Sequence, residues 1–208
     1  MLRTAASLIA PPLCALCADP CEYVDSLCRS CERRVARLHP VRDEVGGIEI
    51  WSAASYDGVA REIVTKMKFS QRLTLAEVAA ERMVRTVGAG RDVHCVPVPP
   101  SPARERTRGF DLAYALSRLI TRECGWGQTI LCLERDDGPR QVGRSREERK
   151  SDPPTVRPIN ASVPLLSDDL WLVDDVATTG STLLSCAEVL GELGAKRVRA
   201  LTFAHADK

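Results

Sequence analysis

Short apolar runs alternate with segments of helical periodicity along most of this chain. Strands are predicted at 48–56, 93–98, 130–133, 170–175 and 197–204, where short apolar runs are bounded by turn or polar residues. Helices are predicted at 59–69, 75–87, 111–123 and 183–193, where apolar residues recur three or four positions apart. The alternation from residue 93 onward predicts an α/β fold with a doubly wound parallel sheet. Ligands of such sheets bind outside the carboxyl ends of the strands.

The segment from Leu170 to Leu183 carries the most informative pattern. Its apolar run ends in Asp174 and Asp175, and a loop of small and hydroxylated residues follows before the next helix. Such a loop gathers backbone N–H groups and the positive end of a helix dipole around one point, which suits a phosphate group. Two carboxylates would repel that phosphate, so they are expected to bind sugar hydroxyls or a magnesium ion. The pattern therefore predicts a site for a phosphorylated sugar.

A plain strand, turn and helix with an acidic pair facing water is the alternative interpretation of this segment. A structural turn needs one glycine or asparagine. It has no use for the four hydroxyl groups of Thr178, Thr179, Ser181 and Thr182 together.

Five of the nine cysteines lie in the first 31 residues. Cys14, Cys17, Cys28 and Cys31 form two Cys-x-x-Cys pairs, a spacing typical of a four-thiolate structural zinc site. Disulfides and an iron–sulfur cluster are the alternatives, and Cys21 is left as a spare thiol. The remaining cysteines, Cys95, Cys124, Cys132 and Cys186, lie in apolar stretches and are expected to be core residues.

Composition and charge narrow the classes of protein. The chain has 208 residues, 44% of them hydrophobic and 27% charged, with a net charge of +1. This length suits one domain with a small module attached, and the charge argues against a globally basic nucleic-acid binder. Pro11 and Pro12 end an N-terminal apolar run that is expected to form a short helix at 4–10. We expect a cytoplasmic protein without membrane insertion.

The whole set of motifs resembles the ComF family of competence-associated proteins. The paired cysteines, Tyr56-Asp-Gly with Lys68, Val96-Pro-Val-Pro99, Arg108-Gly-Phe110, Arg140-Gln141 and the Leu170–Leu183 segment occur in the family's order. The last of these is similar to the phosphoribosyl-pyrophosphate signature of type I phosphoribosyltransferases. Two positions depart from the family pattern: Asp111-Leu112 replaces its usual Asn-Gln, and Ser151-Asp152 stands where an Asn is usual.

The resemblance implies a zinc-binding module at 1–45 and a type I phosphoribosyltransferase-like domain at 46–208. It implies transfer of phosphoribosyl from magnesium phosphoribosyl pyrophosphate to an unidentified acceptor such as a nucleobase. Asp174 and Asp175 would be the catalytic residues. The phosphate would be held by Val176, Ala177, Thr178, Thr179, Gly180, Ser181 and Thr182. The candidate pyrophosphate contacts are Lys68, Arg104, Arg108 and Arg140.

The arginine-rich segment 134–158 has almost no apolar residues. Loops of this length inside compact domains are usually functional or mobile. We expect it to be mobile without ligand and to close over the pyrophosphate when ligand binds.

Two other functions fit the same resemblance. One is a non-catalytic sensor of phosphoribosyl pyrophosphate. The other is a factor for natural transformation or repair that handles single-stranded DNA, with the DNA strand itself or a competence helicase as partner.

Overall fold

The computed structural model describes residues 12–21, 27–70, 73–88, 94–102, 106, 109–124, 127–136, 155–160 and 169–206. The helix expected at 4–10 and most of the expected lid therefore lie outside the described residues.

Five helices and seven strands make up the described part of the chain. The helices are α1 (Arg29–Ala36), α2 (Gly58–Ser70), α3 (Leu73–Val87), α4 (Leu112–Cys124) and α5 (Ser181–Glu192). The strands are β1 (Val41–Val45), β2 (Ile48–Ser55), β3 (His94–Pro97), β4 (Leu133–Arg135), β5 (Val156–Pro158), β6 (Asp169–Ala177) and β7 (Arg197–His205). None of the described helices combines the length and the apolar character needed to cross a membrane.

A five-stranded, mostly parallel sheet with the order β1-β2-β7-β6-β3 forms the centre of the fold. Strands β2, β7, β6 and β3 run parallel, and β1 joins the edge antiparallel to β2. Successive residues of β6 enter two separate cores: Trp171 packs with α2, α3 and α4, whereas Leu172 packs with α5. Helices therefore cover both faces, and the predicted α/β fold with a mostly parallel sheet is confirmed. This arrangement leaves the carboxyl ends of the strands open as a ligand-binding edge.

The strand predicted at 130–133 is wrong in its position. Residue Ile130 donates its N–H to the carbonyl of Cys95 at 2.8 Å, but the pairing with β3 is only an isolated bridge. The regular strand begins at Leu133 and pairs antiparallel with β5 in a separate two-stranded sheet, the β4–β5 ribbon. Burial misled the prediction: Ile130, Cys132 and Leu133 are buried without belonging to one strand.

The N-terminal cysteine segment packs directly on α2 and α3. Leu16, Cys31 and Val35 share one core with side chains of both helices. The Arg34 guanidinium pairs with Glu62 on α2, and Arg82 Nη2 on α3 donates to the Leu38 carbonyl at 2.6 Å. The cysteine segment therefore braces the helix that carries Lys68, while the predicted boundary at residue 45 stays a prediction.

Candidate functional site

The acidic pair lies at the carboxyl end of β6. Within the pair, Asp174 Oδ1 accepts the backbone N–H of Asp175 at 2.7 Å. Asp175 is only 8% exposed. Its charge is met from α2, where Lys68 Nζ lies 2.5 Å from Asp175 Oδ2. Lys68, a predicted site residue, therefore does belong to the same site as the pair.

The surroundings of Asp174 disfavour its charged form. Burial raises the pKa of Asp174 well above its usual range, and the neighbouring charge of Asp175 raises it further. The positive charge of Lys68 opposes this rise in pKa without cancelling it. Asp174 therefore favours its protonated form, beside the ion pair that Asp175 makes with Lys68.

The loop between β6 and α5 has the geometry of an anion cradle. Gly180 precedes the helix with φ 74°, in the left-handed region. The Ser181 N–H donates to Thr179 Oγ1 at 3.4 Å, and the two hydroxyl oxygens lie 3.0 Å apart. The side chains of Thr178, Thr179 and Ser181 are exposed. Hydroxyl groups and the N-terminal N–H groups of α5 are thus presented together to a ligand.

A cavity of about 230 Å³ joins this loop to the acidic pair. Its lining comprises Tyr56, Lys68, Arg135, Asp174, Asp175, Val176, Ala177, Thr178, Gly180, Ser181, Thr182 and Leu183. Of the predicted phosphate-loop residues, Thr179 is outside this lining and contacts Ser181 instead. Beside it, a cavity of about 50 Å³ is lined by Asp174 and Asp175 together with Pro99, Phe110, Asp111 and Arg135, among others. The acidic pair therefore borders two cavities, which also share Arg135 and Thr182 in their linings.

Arg135 is the residue of this cavity that the sequence interpretation did not single out. It was one arginine among several in the arginine-rich segment. The signal that identifies it is its spacing from Leu133, since residues two apart on a strand share a face. The other candidate pyrophosphate contacts, Arg104, Arg108 and Arg140, lie outside the described residues.

A larger cleft of about 850 Å³ lies between α1 and α3, away from the acidic pair. Its charged lining balances three acidic against three basic side chains, namely Glu32, Glu77, Glu81, Arg82, Arg85 and Arg122. This cleft offers neither a phosphate loop nor a net charge that would select an anionic ligand.

The four predicted zinc ligands form one cluster. The sulphur atoms of Cys14, Cys17, Cys28 and Cys31 all lie within 4.8 Å of one another. Cys17 Sγ and Cys28 Sγ are 3.7 Å apart. Zinc–sulphur bonds of about 2.3 Å in a tetrahedron require sulphur atoms about 3.8 Å apart, so the cluster fits zinc.

Backbone N–H groups prepare this cluster for a metal. Leu16 and Cys28 donate their N–H groups to Cys14 Sγ at 3.4 and 3.3 Å. Burial alone would raise the pKa of Cys14, but N–H donors from Cys17, Cys28 and Leu16 outweigh it and lower the pKa to about 6. Burial raises the pKa of Cys31 to about 11. One thiolate therefore forms readily, whereas a full set needs a cation at its centre.

Comparisons with known proteins extend over most of the chain. No family model matches the sequence. The chain is 27% identical over 185 residues to "Competence protein ComFC" of Bacillus subtilis, covering 88% of this chain and 72% of that protein. It is 23% identical over 201 residues to "DNA utilization protein YhgH" of Escherichia coli K12, covering 90% and 87%. It is also 24% identical over 154 residues to "Competence protein ComFC" of Streptococcus pneumoniae, covering 74% and 66%.

Proposed function

Because this chain belongs to the ComF family, we propose that it serves DNA uptake or utilization through a site for magnesium phosphoribosyl pyrophosphate. Relatives named for competence and for DNA utilization, at 23–27% identity over about 90% of the chain, indicate the general role. The finer assignment rests on the cavity at the end of β6. We assign it the type I phosphoribosyltransferase-like arrangement, in which one edge of a parallel sheet binds the sugar phosphate.

The observation that carries this proposal is the meeting of opposite chemistries in one cavity. The loop from Ala177 to Thr182 offers N–H and hydroxyl donors to an anion, and Asp174 and Asp175 offer acceptors to hydroxyl groups. A sugar that carries both a 5′-phosphate and free hydroxyls satisfies both ends. Lys68 adds a cation for a second anionic group, as pyrophosphate would be.

The proposed reaction replaces pyrophosphate at the anomeric carbon of the ribose. The carbon–oxygen bond breaks with its electron pair leaving on pyrophosphate, and an acceptor atom forms the new bond to that carbon. Positive charge develops on the ribose ring, close to the carboxylates of Asp174 and Asp175, which would stabilise it. Part of the pyrophosphate charge would be neutralised by an accompanying magnesium ion, for which carboxylate oxygens are suitable ligands.

A non-catalytic sensor of phosphoribosyl pyrophosphate is the second candidate. The raised pKa of Asp174 favours it, because a protonated carboxyl gives less support to a positive ribose. Such a site would still bind hydroxyl groups by hydrogen bonds. Handling of single-stranded DNA or contact with a competence helicase is compatible with either candidate.

Exchange of labelled pyrophosphate separates the two candidates. Purified protein is incubated with magnesium phosphoribosyl pyrophosphate, labelled pyrophosphate and, in turn, each nucleobase of a panel. Incorporation of label that needs a particular base supports transfer and identifies the acceptor. Tight binding without exchange for any base supports the sensor and contradicts transfer to a base.

The cysteine cluster is proposed to hold one structural zinc ion through Cys14, Cys17, Cys28 and Cys31. When bound, the metal would supply the cross-link that keeps two knuckles together in a segment with few core residues of its own. Because the cysteine segment packs against α2, a bound metal would also stabilise the helix that carries Lys68.

A further inference from the structure

The β4–β5 ribbon fixes the direction of Arg135. On one face of the ribbon, Arg157 pairs with Glu134 at 3.3 Å and with Asp136 at 2.9 Å. On the other face, Leu133 is buried in the core that lies under α5. Side chains alternate along a strand, so Arg135 shares the face of Leu133 and is directed towards the body of the protein.

Arg135 lines both cavities that contain the acidic pair. Its effect on a neighbouring thiol agrees with this location. Burial raises the pKa of Cys186 to about 12, the charge of Asp174 adds to the rise, and the charge of Arg135 opposes it. Arg135 and Asp174 are therefore close enough to the same buried thiol for both charges to act on it.

The acidic pair thus has one cation on each side. Lys68 reaches it from α2, which packs on one face of the sheet, and Arg135 comes from the ribbon that packs beside α5 on the other face. Lys68 and Arg135 thus line the same cavity as the two carboxyl groups. Both cations are therefore placed to attract a second anionic group in the same cavity.

We propose that Arg135 is a pyrophosphate-binding residue that acts with Lys68 in the cavity at the end of β6. This assignment rests on the proposed function. A guanidinium stays charged at all working pH values and can donate two parallel hydrogen bonds to a phosphate group. A lysine in its place keeps the charge but loses the two-pronged geometry.

The test compares Arg135→Gln with Arg157→Gln by titration calorimetry, using magnesium phosphoribosyl pyrophosphate and ribose 5-phosphate as separate probes. Arg157 is the matched control because it lies on the same ribbon, exposed and paired only at the surface. We expect Arg135→Gln to weaken phosphoribosyl pyrophosphate binding by about tenfold or more. Ribose 5-phosphate lacks pyrophosphate, so both variants should bind it with the same affinity as the wild type does. Arg135→Lys should fall between wild type and Arg135→Gln.

The outcomes separate this role from the function on which it rests. Wild-type protein that binds neither probe contradicts the proposed function. Wild-type binding of phosphoribosyl pyrophosphate that Arg135→Gln leaves unchanged contradicts the role of Arg135 alone. Equal loss of both probes in Arg135→Gln, with the ribbon intact in Arg157→Gln, also overturns the assignment, because it would mean that Arg135 supports the cavity rather than pyrophosphate.

Discussion

Lys68 Nζ lies 2.5 Å from Oδ2 of Asp175, and this contact joins the last turns of α2 to the carboxyl end of β6. Both side chains are largely buried, with 18% and 11% of their surfaces exposed. Each charge is therefore largely removed from water and is compensated by the other charge. The contact therefore stabilises the free protein and holds a cation where the proposed ligand carries its negative charge.

Removing the cation of this pair should destabilise the fold. Lys68→Met leaves the Asp175 carboxylate buried without its partner, a change that costs about 3–5 kcal/mol in comparable buried pairs. Urea unfolding measures the loss. Lys66→Met, on the same helix, is the control and should cost much less. The double variant Lys68→Met/Asp175→Asn should recover part of the stability, and a double variant as unstable as the sum of both changes would argue against coupling.

The raised pKa of Asp174 gives a pH-dependent prediction. In the folded state this carboxyl keeps its proton at pH values where the unfolded chain, with an ordinary Asp pKa of about 3.9, has lost it. The group therefore costs stability as the pH rises above that value, until the folded pKa is passed. Asp174→Asn removes this cost while keeping an oxygen for the N–H of Asp175.

Thermal unfolding of wild type and Asp174→Asn between pH 5 and pH 8 measures this effect. The melting temperature of Asp174→Asn should exceed that of the wild type by a margin that grows with pH. A margin that is constant, or that shrinks as the pH rises, would show that Asp174 ionises normally in the folded protein.

Gly180 is required for the stability of the fold as well as for the proposed binding of a phosphate group. Its φ of 74° costs a residue with a side chain about 1–2 kcal/mol. A Cβ atom there would also lie 3.0 Å from the methyl groups of Val45 on β1. Gly180→Val should therefore lower stability by more than the backbone strain alone. Adding Val45→Ala should relieve the steric part only, and complete recovery in urea unfolding would contradict a role for the left-handed backbone.

The local part of the site was predictable from sequence, whereas its long-range part was not. Strand, acidic pair, loop and helix between Leu170 and Leu183 follow from neighbouring residues, so their pattern predicts their structure. The contact of Val45 with the Gly180 loop depends on an edge strand that is short and polar, VRDEV, and gives no apolar signal. The position of Arg135 in the cavity depends on the pairing of β4 with β5, which are separated by a long segment of the chain.

The spacing of the cysteines also predicted their clustering, because each pair needs only a local turn. Ala18 shows the tightness of the first turn, with φ 65°.

Protein purified from cells grown without added zinc should contain about one equivalent of the metal, as a four-thiolate site requires. Cys14→Ser and Cys31→Ser should lose metal and stability, and Cys21→Ser should keep both. Hydrogen exchange at α1 measures the folding of the metal-free wild type. If α1 is fully folded without metal, the result would contradict a structural role for the metal.

Binding of magnesium phosphoribosyl pyrophosphate to the purified protein, measured by titration calorimetry, tests the central claim most directly. The account predicts saturable binding that requires magnesium and weakens in Asp175→Asn, whose similar size preserves the shape of the cavity. Asp174→Asn should weaken binding less, since that carboxyl already favours its neutral form. Wild-type protein, folded and metal-loaded, that shows no measurable heat of binding at millimolar ligand would contradict the claim.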